Sequence, residues 1–192
     1  MYNGNKGLHR KDAIVYMEKK ALVVIDMQND FVTGSLGTKE AQAILPYLLN
    51  KVERYIADDW DIFVTLDTHQ PDYLQSREGK KLPVVHCVEG TTGWETCPEV
   101  EALVKDAPHF NKDTFGSTQL VDALMQGGYD KIELVGVCTD ICVISNALLL
   151  RAHMPEVEIS VGPKACAGVT PAQHETALQA MQACQIDILT AS

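Results

Sequence analysis

The sequence predicts a single-domain, three-layer α/β/α protein with a mostly parallel β-sheet. Short, continuous apolar runs rich in β-branched residues, such as residues 21–26, recur along the chain. Runs of this kind are typical of strands that are buried on both faces of a sheet. Helical segments separate the runs, and strand–helix alternation favours parallel pairing through crossover connections. A chain of 192 residues is also the size of one ordinary domain.

The first half of the chain contains two predicted strands and a predicted helix. Residues 21–26 (ALVVID) and 62–67 (IFVTLD) are apolar runs that each end in an aspartate. After a loop at 34–37, we expect a helix over 46–58, with Pro46 in its first turn, where a missing N–H does no harm. Residues 68–98 form a polar connection longer than most loops, which indicates a functional segment.

The second half of the chain continues the alternation of helices and strands. Gly127-Gly128 ends one helical segment, and Thr170 followed by Pro171 begins another with an N-cap residue and a proline at the first position. In chain order we predict a helix over 117–126, a strand over 131–137, a buried helix over 140–151, a strand over 157–161, a helix over 170–184 and a strand over 186–189.

Composition and charge exclude several classes of protein. Hydrophobic residues make up 46% of the chain and charged residues 22%, which is globular rather than disordered composition. The net charge of −10 disfavours nucleic acid as a partner. No apolar run reaches the roughly 18 residues that a membrane span needs, so we expect no membrane partner.

The amino terminus and the cysteines indicate a cytoplasmic protein. Residues 1–20 are polar and lack the apolar region of a secretory signal, so we expect a flexible extension ahead of a domain over 21–192. The six cysteines show no disulfide framework, and free thiols are typical of a reducing compartment.

Candidate functional residues follow three of the predicted strands. Ligands of parallel sheets bind at the carboxyl ends of the strands, and these ends carry Asp26, Asp67 and the turn from Cys138 to Cys142. A thiol at a helix N-terminus is favoured as thiolate. Either cysteine alone reads more simply as a small core residue, but two aspartates and a thiol at one sheet edge predict a site.

Five segments together resemble the isochorismatase-like cysteine hydrolases, and within them the nicotinamidase (pyrazinamidase) subgroup. They occur in the family's order over residues 21–190 and are ALVVIDMQNDF (21–31), DTH (67–69), PVVHCVEGT (83–91), Asn111-Lys112 and GVCTDICV (136–143). The resemblance implies the isochorismatase-like hydrolase fold. It also implies conversion of nicotinamide and water to nicotinate and ammonia, through a cysteine thioester, in pyridine nucleotide salvage.

The family's catalytic triad falls on Asp26, Lys112 and Cys142. The resemblance gives Asp26 the role of base, Lys112 that of a positive charge that keeps Asp26 ionised and stabilises thiolate, and Cys142 that of nucleophile. It places the oxyanion hole at the backbone N–H groups of Cys138 and Cys142, with a cis peptide between Val137 and Cys138. Cys138 replaces the family's usual alanine, which is similar in size.

A metal site is the second feature that the resemblance implies. Asp67, His69 and His86 have the residue types that bind Zn²⁺, Fe²⁺ or Mn²⁺, and three protein ligands leave positions open for a substrate. In nicotinamidases the metal holds the pyridine nitrogen. Ser76 and Glu78 are candidates for a fourth ligand, and we favour Glu78.

The substrate pocket departs from the subgroup's pattern. Many nicotinamidases have an aromatic residue before the metal-binding histidine, whereas residues 82–86 read LPVVH. We therefore expect Phe31 or Phe115 to stack on the substrate ring. Trp94 is a nearby tryptophan whose role could equally be structural, and the loop over 113–117 is short.

Three other functions remain open on the sequence. The chain could be a related amidase that acts on another small amide or ureido compound, or a vinyl-ether hydrolase acting on isochorismate. A non-enzymatic alternative is a binding or redox-sensing module in which Cys138 and Cys142 form a regulatory pair. In each enzymatic case the partner is a small molecule, and the family's habit of self-association implies a homo-oligomer.

Overall fold

A six-stranded parallel sheet forms the centre of the protein in the computed structural model, which describes residues 17–189. The predicted extension over 1–20 thus falls mainly outside the described residues. The strand order is β3-β2-β1-β4-β5-β6, and every strand pair in the described part of the chain is parallel. The strands are β1 Lys20–Ile25, β2 Asp61–Asp67, β3 His109–Lys112, β4 Lys131–Val137, β5 Glu158–Ala167 and β6 Asp187–Ile188.

Six helices pack around this sheet and form two contacting groups, one of α1, α2 and α3 and the other of α4, α5 and α6. Residues 21–25 of β1 are fully buried, so both faces of the sheet are covered there. The predicted three-layer fold is confirmed. The helices are α1 Asn29–Val32, α2 Lys39–Ala57, α3 Pro98–Val104, α4 Thr118–Gly127, α5 Ile144–His153 and α6 Pro171–Ala183.

The predicted start of the helix over 46–58 is wrong. Helix α2 begins at Lys39, and the hydroxyl of its N-cap residue, Thr38, accepts a hydrogen bond from the N–H of Ala41 at 3.0 Å. Pro46 therefore lies inside the helix, where it removes one backbone hydrogen bond. Buried Ala41 and Ile44 extend the apolar face of the helix ahead of the proline, and this packing outweighs the lost bond.

Other elements differ from the predictions. The short helices α1 and α3 were not predicted: α1 lies just before the predicted loop at 34–37, and α3 begins where the predicted long connection ends. Strand β5 extends beyond the predicted end at residue 161, because a bulge carries the chain past Gly162-Pro163. The predicted helix over 140–151 begins as a π-helical turn, Thr139–Val143, before α5.

The strand order creates a switch point between β1 and β4, since the chain leaves β1 toward β2 on one side and returns to β4 on the other. Ligands of open parallel sheets bind at such a point. Among the described residues, no helix combines the length and apolar character needed to cross a membrane.

Candidate active site

Asp26 lies at the carboxyl end of β1 and is completely buried. Its backbone adopts a left-handed conformation, with φ of 48°, directly after the strand. The hydroxyl of Thr65 donates a hydrogen bond to Oδ1 at 2.6 Å, and the ammonium of Lys112 lies 2.7 Å from Oδ2. Both carboxylate oxygens therefore have a positive or donor group beside them.

Lys112 connects three groups at the end of β3. Besides Asp26, its Nζ lies 3.3 Å from Oδ1 of Asp67 and 3.4 Å from Sγ of Cys142. Burial alone would lower the pKa of this lysine, but Asp26, Cys142 and Asp67 together raise the pKa well above its usual value. Lys112 is therefore a permanently charged centre beside the thiol.

Cys142 is buried at the bottom of the site, within the π-helical turn that follows β4. Burial and the nearby Asp26 raise the pKa of its thiol, and Lys112 opposes this shift. Burial also raises the pKa of Asp26 against the effect of Lys112. Asp26 and the thiol both lie within 3.4 Å of the Lys112 ammonium, so a carboxylate that can take the proton is close to the thiol.

The turn between β4 and Cys142 is held by its own backbone hydrogen bonds. The peptide bond between Val137 and Cys138 is cis, as predicted. The N–H groups of Ile141 and Val143 both donate to the carbonyl of Cys138. These bonds hold the amide of Cys142 between two anchored neighbours.

Two further side chains fix this turn from outside. Asn146, fully buried, donates to the carbonyl of Cys142 at 2.8 Å and accepts from the N–H of Ser117 at 2.9 Å. The Oγ1 atom of Thr139 lies 2.8 Å from Nδ1 of His174 in α6. The position of the thiol thus depends on contacts with α4 and α6.

Asp67, His69 and His86 form a group that could hold a metal ion. One ligand atom from each lies within 4.8 Å of the others, and all three residues are buried. The Nδ1–H of His86 donates to the carbonyl of Val84 at 2.8 Å, which leaves Nε2 free to bind a metal. The Nε2 atom of His69 lies 3.0 Å from Oδ2 of Asp67 but is buried and makes no hydrogen bond of acceptable geometry within residues 17–189. These observations fit a divalent metal.

The candidates for a fourth ligand lie beside this group. The Oε1 atom of Glu78 is 3.8 Å from Nε2 of His69 and 3.9 Å from Nε2 of His86. The hydroxyl of Ser76 instead accepts a hydrogen bond from the N–H of Gly79 at 2.9 Å. Glu78 is thus the better placed of the two.

A cavity of about 660 Å³ connects the metal group to the thiol. Phe31 and Phe115 both line it, and the ring of Phe31 lies 5.6 Å from that of His86. Leu82 lines the cavity as well. Trp94 is not among the lining residues, and its indole N–H donates to the hydroxyl of Thr68 at 2.8 Å, which is a structural contact.

The sequence analysis missed several residues that support the site. Gln28 is buried, and its side chain accepts from the N–H of Asp67 and donates to the carbonyl of Asp67, both at 2.8 Å. Thr65, Asn146 and His174 were also missed. Asn146 could have been found, because it is a polar residue one helical turn after Cys142 in a mostly apolar helix.

Comparison with known proteins identifies relatives over nearly the whole chain. The Isochorismatase domain model matches residues 20–192. A nicotinamidase/pyrazinamidase from Mycobacterium tuberculosis is 26% identical over 90% of this chain and 100% of its own length. The pyrazinamidase of Pyrococcus horikoshii has been solved in complex with zinc, and its sequence is 28% identical to this one. The two structures superimpose with a TM-score of 0.79, over 90% of this chain and 99% of that one.

A second solved structure has a similar fold over most of this chain. The pyrazinamidase/nicotinamidase from Streptococcus mutans superimposes with a TM-score of 0.80 and 26% identity, over 89% of this chain and 100% of that one. The similarity extends over the whole described domain.

Proposed function

Because the chain belongs to the Isochorismatase domain family, we propose that it is a hydrolase of amide C–N bonds that converts nicotinamide and water to nicotinate and ammonia. One observation carries the proposal. The ammonium of Lys112 lies within 3.4 Å of Asp26, of Cys142 and of a carboxylate in the metal-binding group. Relatives named as nicotinamidases support the choice of substrate.

Asp26, Lys112 and Cys142 carry out the covalent steps in this proposal. Asp26 takes the proton of the Cys142 thiol, and the thiolate forms a C–S bond with the amide carbonyl carbon. When the C–N bond breaks, Asp26 returns the proton to the departing ammonia. Water, deprotonated by Asp26, then attacks the thioester carbon, the C–S bond breaks to release nicotinate, and Asp26 returns the proton to the Cys142 thiolate. The charge of Lys112 stabilises the thiolate and the ionised carboxylate.

The oxyanion of the tetrahedral intermediates needs hydrogen-bond donors. We assign this role to the backbone N–H groups of Cys138 and Cys142, which belong to the turn that Asn146 and His174 hold in place. Preorganised donors of this kind contribute about 100- to 1,000-fold in rate each. Cys138 contributes through its backbone, so its side chain is not required.

Asp67, His69 and His86, together with Glu78, would hold a divalent metal, for which we propose Zn²⁺ ahead of Fe²⁺ or Mn²⁺. When bound, the ion supplies a Lewis acid that coordinates the pyridine nitrogen and so orients the ring. The orphaned Nε2 of His69 supports this assignment. Gln28 holds the backbone of Asp67 from both sides and keeps its carboxylate directed at the site.

Phe31 and Phe115 are proposed as the walls that pack against the substrate ring. A related amidase activity on another small amide is the second candidate, and one observation favours it: Leu82 lines the cavity in a segment where many nicotinamidases have an aromatic residue. The redox-module hypothesis gives way to an enzymatic function, since the named relatives are hydrolases.

We also propose a cellular location and an oligomeric state for the enzyme. All six cysteines lie in the described part of the chain and are free thiols, which supports a cytoplasmic location. We also propose a homo-oligomer, which size-exclusion chromatography with light scattering would test.

Ammonia release from nicotinamide and from benzamide tests the substrate and the metal together. Benzamide has the same amide on a ring without the nitrogen atom. We expect metal-loaded protein to hydrolyse nicotinamide much faster than benzamide, and EDTA treatment to abolish the difference. Equal rates on the two amides would contradict the role of the metal, and no turnover of nicotinamide would favour the second candidate.

A further inference from the structure

A second cavity, of about 360 Å³, lies between α2 and β5 and shares no lining residue with the active-site cavity. We refer to it as the α2–β5 cavity. Its lining includes Pro46, Tyr47, Asn50, Lys51, Arg54 and Lys164. Three of these six side chains are cationic and none is acidic, although the whole chain has a net charge of −10.

Three unusual features lie at or beside this cavity: a proline within a helix, a strand bulge and a buried ion pair. Pro46 interrupts the hydrogen bonding of α2. In β5, residues 162–165 stand opposite the single residue Val135 of β4, which makes a bulge that carries Lys164. A buried ion pair joins Lys51 to Glu133 at 2.7 Å. Bulges and buried ion pairs are costly features that often accompany functional sites.

Lys51, one member of the buried ion pair, lines the cavity, and its partner Glu133 lies behind it. Lys51 is only 5% exposed, and Glu133, in the middle of the sheet, is 1% exposed. A Cβ atom at Gly162 would approach the carboxylate of Glu133 to 2.6 Å, so the glycine in the bulge makes room for the pair. Glu133 balances the charge of Lys51, so the charges available to a ligand in the cavity are those of Arg54 and Lys164.

Arg54 and Lys164 are exposed at the rim of the cavity, and neither forms an ion pair within residues 17–189. A ligand in the cavity would therefore meet two cations from different elements and the side-chain amide of Asn50. The guanidinium of Arg54 also lies over the ring of Tyr55, 5.3 Å from its centroid, which leaves its charge without a carboxylate partner. A guanidinium and an ammonium that line one cavity match the oxygens of a phosphate group.

Helix α2 also contributes an aromatic side chain and a proline to the lining of the cavity. Tyr47 is 59% exposed and stands beside Pro46 on the same side of the cavity. Exposed aromatic faces of this kind bury a ring favourably while one end of the ligand stays polar. We propose that the α2–β5 cavity is a second ligand site, which binds a phosphate monoester that carries a flat ring.

Isothermal titration calorimetry with phenyl phosphate and with inorganic phosphate, at constant chloride concentration, tests this proposal without using turnover. We expect Lys164→Glu and Arg54→Glu each to weaken binding of phenyl phosphate by at least about tenfold, because each removes a charge-assisted contact. Lys105→Glu, which changes the net charge equally at an exposed residue of the C-cap of α3, should alter the affinity by less than about twofold.

Two results would overturn the proposal. One is that the wild-type protein binds neither probe. The other is that Lys164→Glu and Arg54→Glu bind phenyl phosphate as tightly as Lys105→Glu, which would place the ligand elsewhere, including at the metal-binding group. Equal affinity of the wild-type protein for the two probes would overturn the role given to the wall of Tyr47 and Pro46.

Discussion

Replacement of Lys112 by methionine should destabilise the fold as well as the site. The variant keeps the length of the side chain but leaves the fully buried carboxylate of Asp26, 2.7 Å from the present ammonium, without its counter-charge. Removing one partner of a buried ion pair costs about 3–5 kcal/mol. We therefore expect the free energy of unfolding at pH 7 to fall by about that amount.

The loss should depend on pH, and the direction follows from Asp26. Without Lys112, the hydrogen bond from Thr65 is left as the group that lowers the pKa of this carboxyl, against burial and the negative charge of Asp67, so its pKa in the folded state is raised further above the unfolded value. A group with a raised folded pKa stabilises the protein in its protonated form, and this stability is lost as the pH rises. The variant should therefore regain stability between pH 7 and pH 5.

Urea unfolding at pH 7 and pH 5 measures both effects. The double variant Asp26→Asn/Lys112→Met removes both charges and should recover much of the stability that Lys112→Met loses. Lys105→Met, at an exposed position, is the control and should stay within about 0.5 kcal/mol of the wild type. If Lys112→Met unfolds at the wild-type urea concentration, or if the double variant is no more stable than the single one, the reasoning is refuted.

Two supporting residues give further predictions. His174→Ala should lower kcat for nicotinamide with little change in KM, because the ring contacts Thr139 in the turn between β4 and Cys142 rather than the cavity. His174→Asn should restore part of kcat, and an effect confined to KM would contradict this role. Gln28→Ala should weaken zinc affinity about 10- to 100-fold in a chelator competition assay, since it releases the backbone of Asp67; unchanged affinity would show that Asp67 is held by other contacts.

The part of the site that lies at strand ends could be predicted from the sequence. Asp26 and Asp67 follow continuous apolar runs, and the carboxyl ends of parallel strands meet at one edge of a sheet. Cys142 could be placed at the same edge, because it lies in the turn that follows the predicted strand at 131–137. Lys112 stands after a run too short to identify a strand by its pattern, so its place in the site came from the family resemblance.

The supporting contacts could not be predicted, because they join side chains to distant backbone groups. Gln28 reaches Asp67, and His174 reaches Thr139, only after the strands and helices have packed. Local rules also misplaced the start of α2, since Pro46 is a typical first-turn residue and Thr38 is an equally good N-cap. The buried apolar face of the helix decided between them.

Ammonia release by Cys142→Ala, compared with Cys138→Ala, tests most directly the claim that one of two neighbouring thiols is the nucleophile. The Cys142 thiol lies 3.4 Å from the Lys112 ammonium, which in turn lies 2.7 Å from Asp26, whereas Cys138 is assigned a backbone role only. We expect metal-loaded Cys142→Ala to lose turnover of nicotinamide and Cys138→Ala to retain most of it. Retained turnover in Cys142→Ala, or equal loss in both variants, would contradict the account.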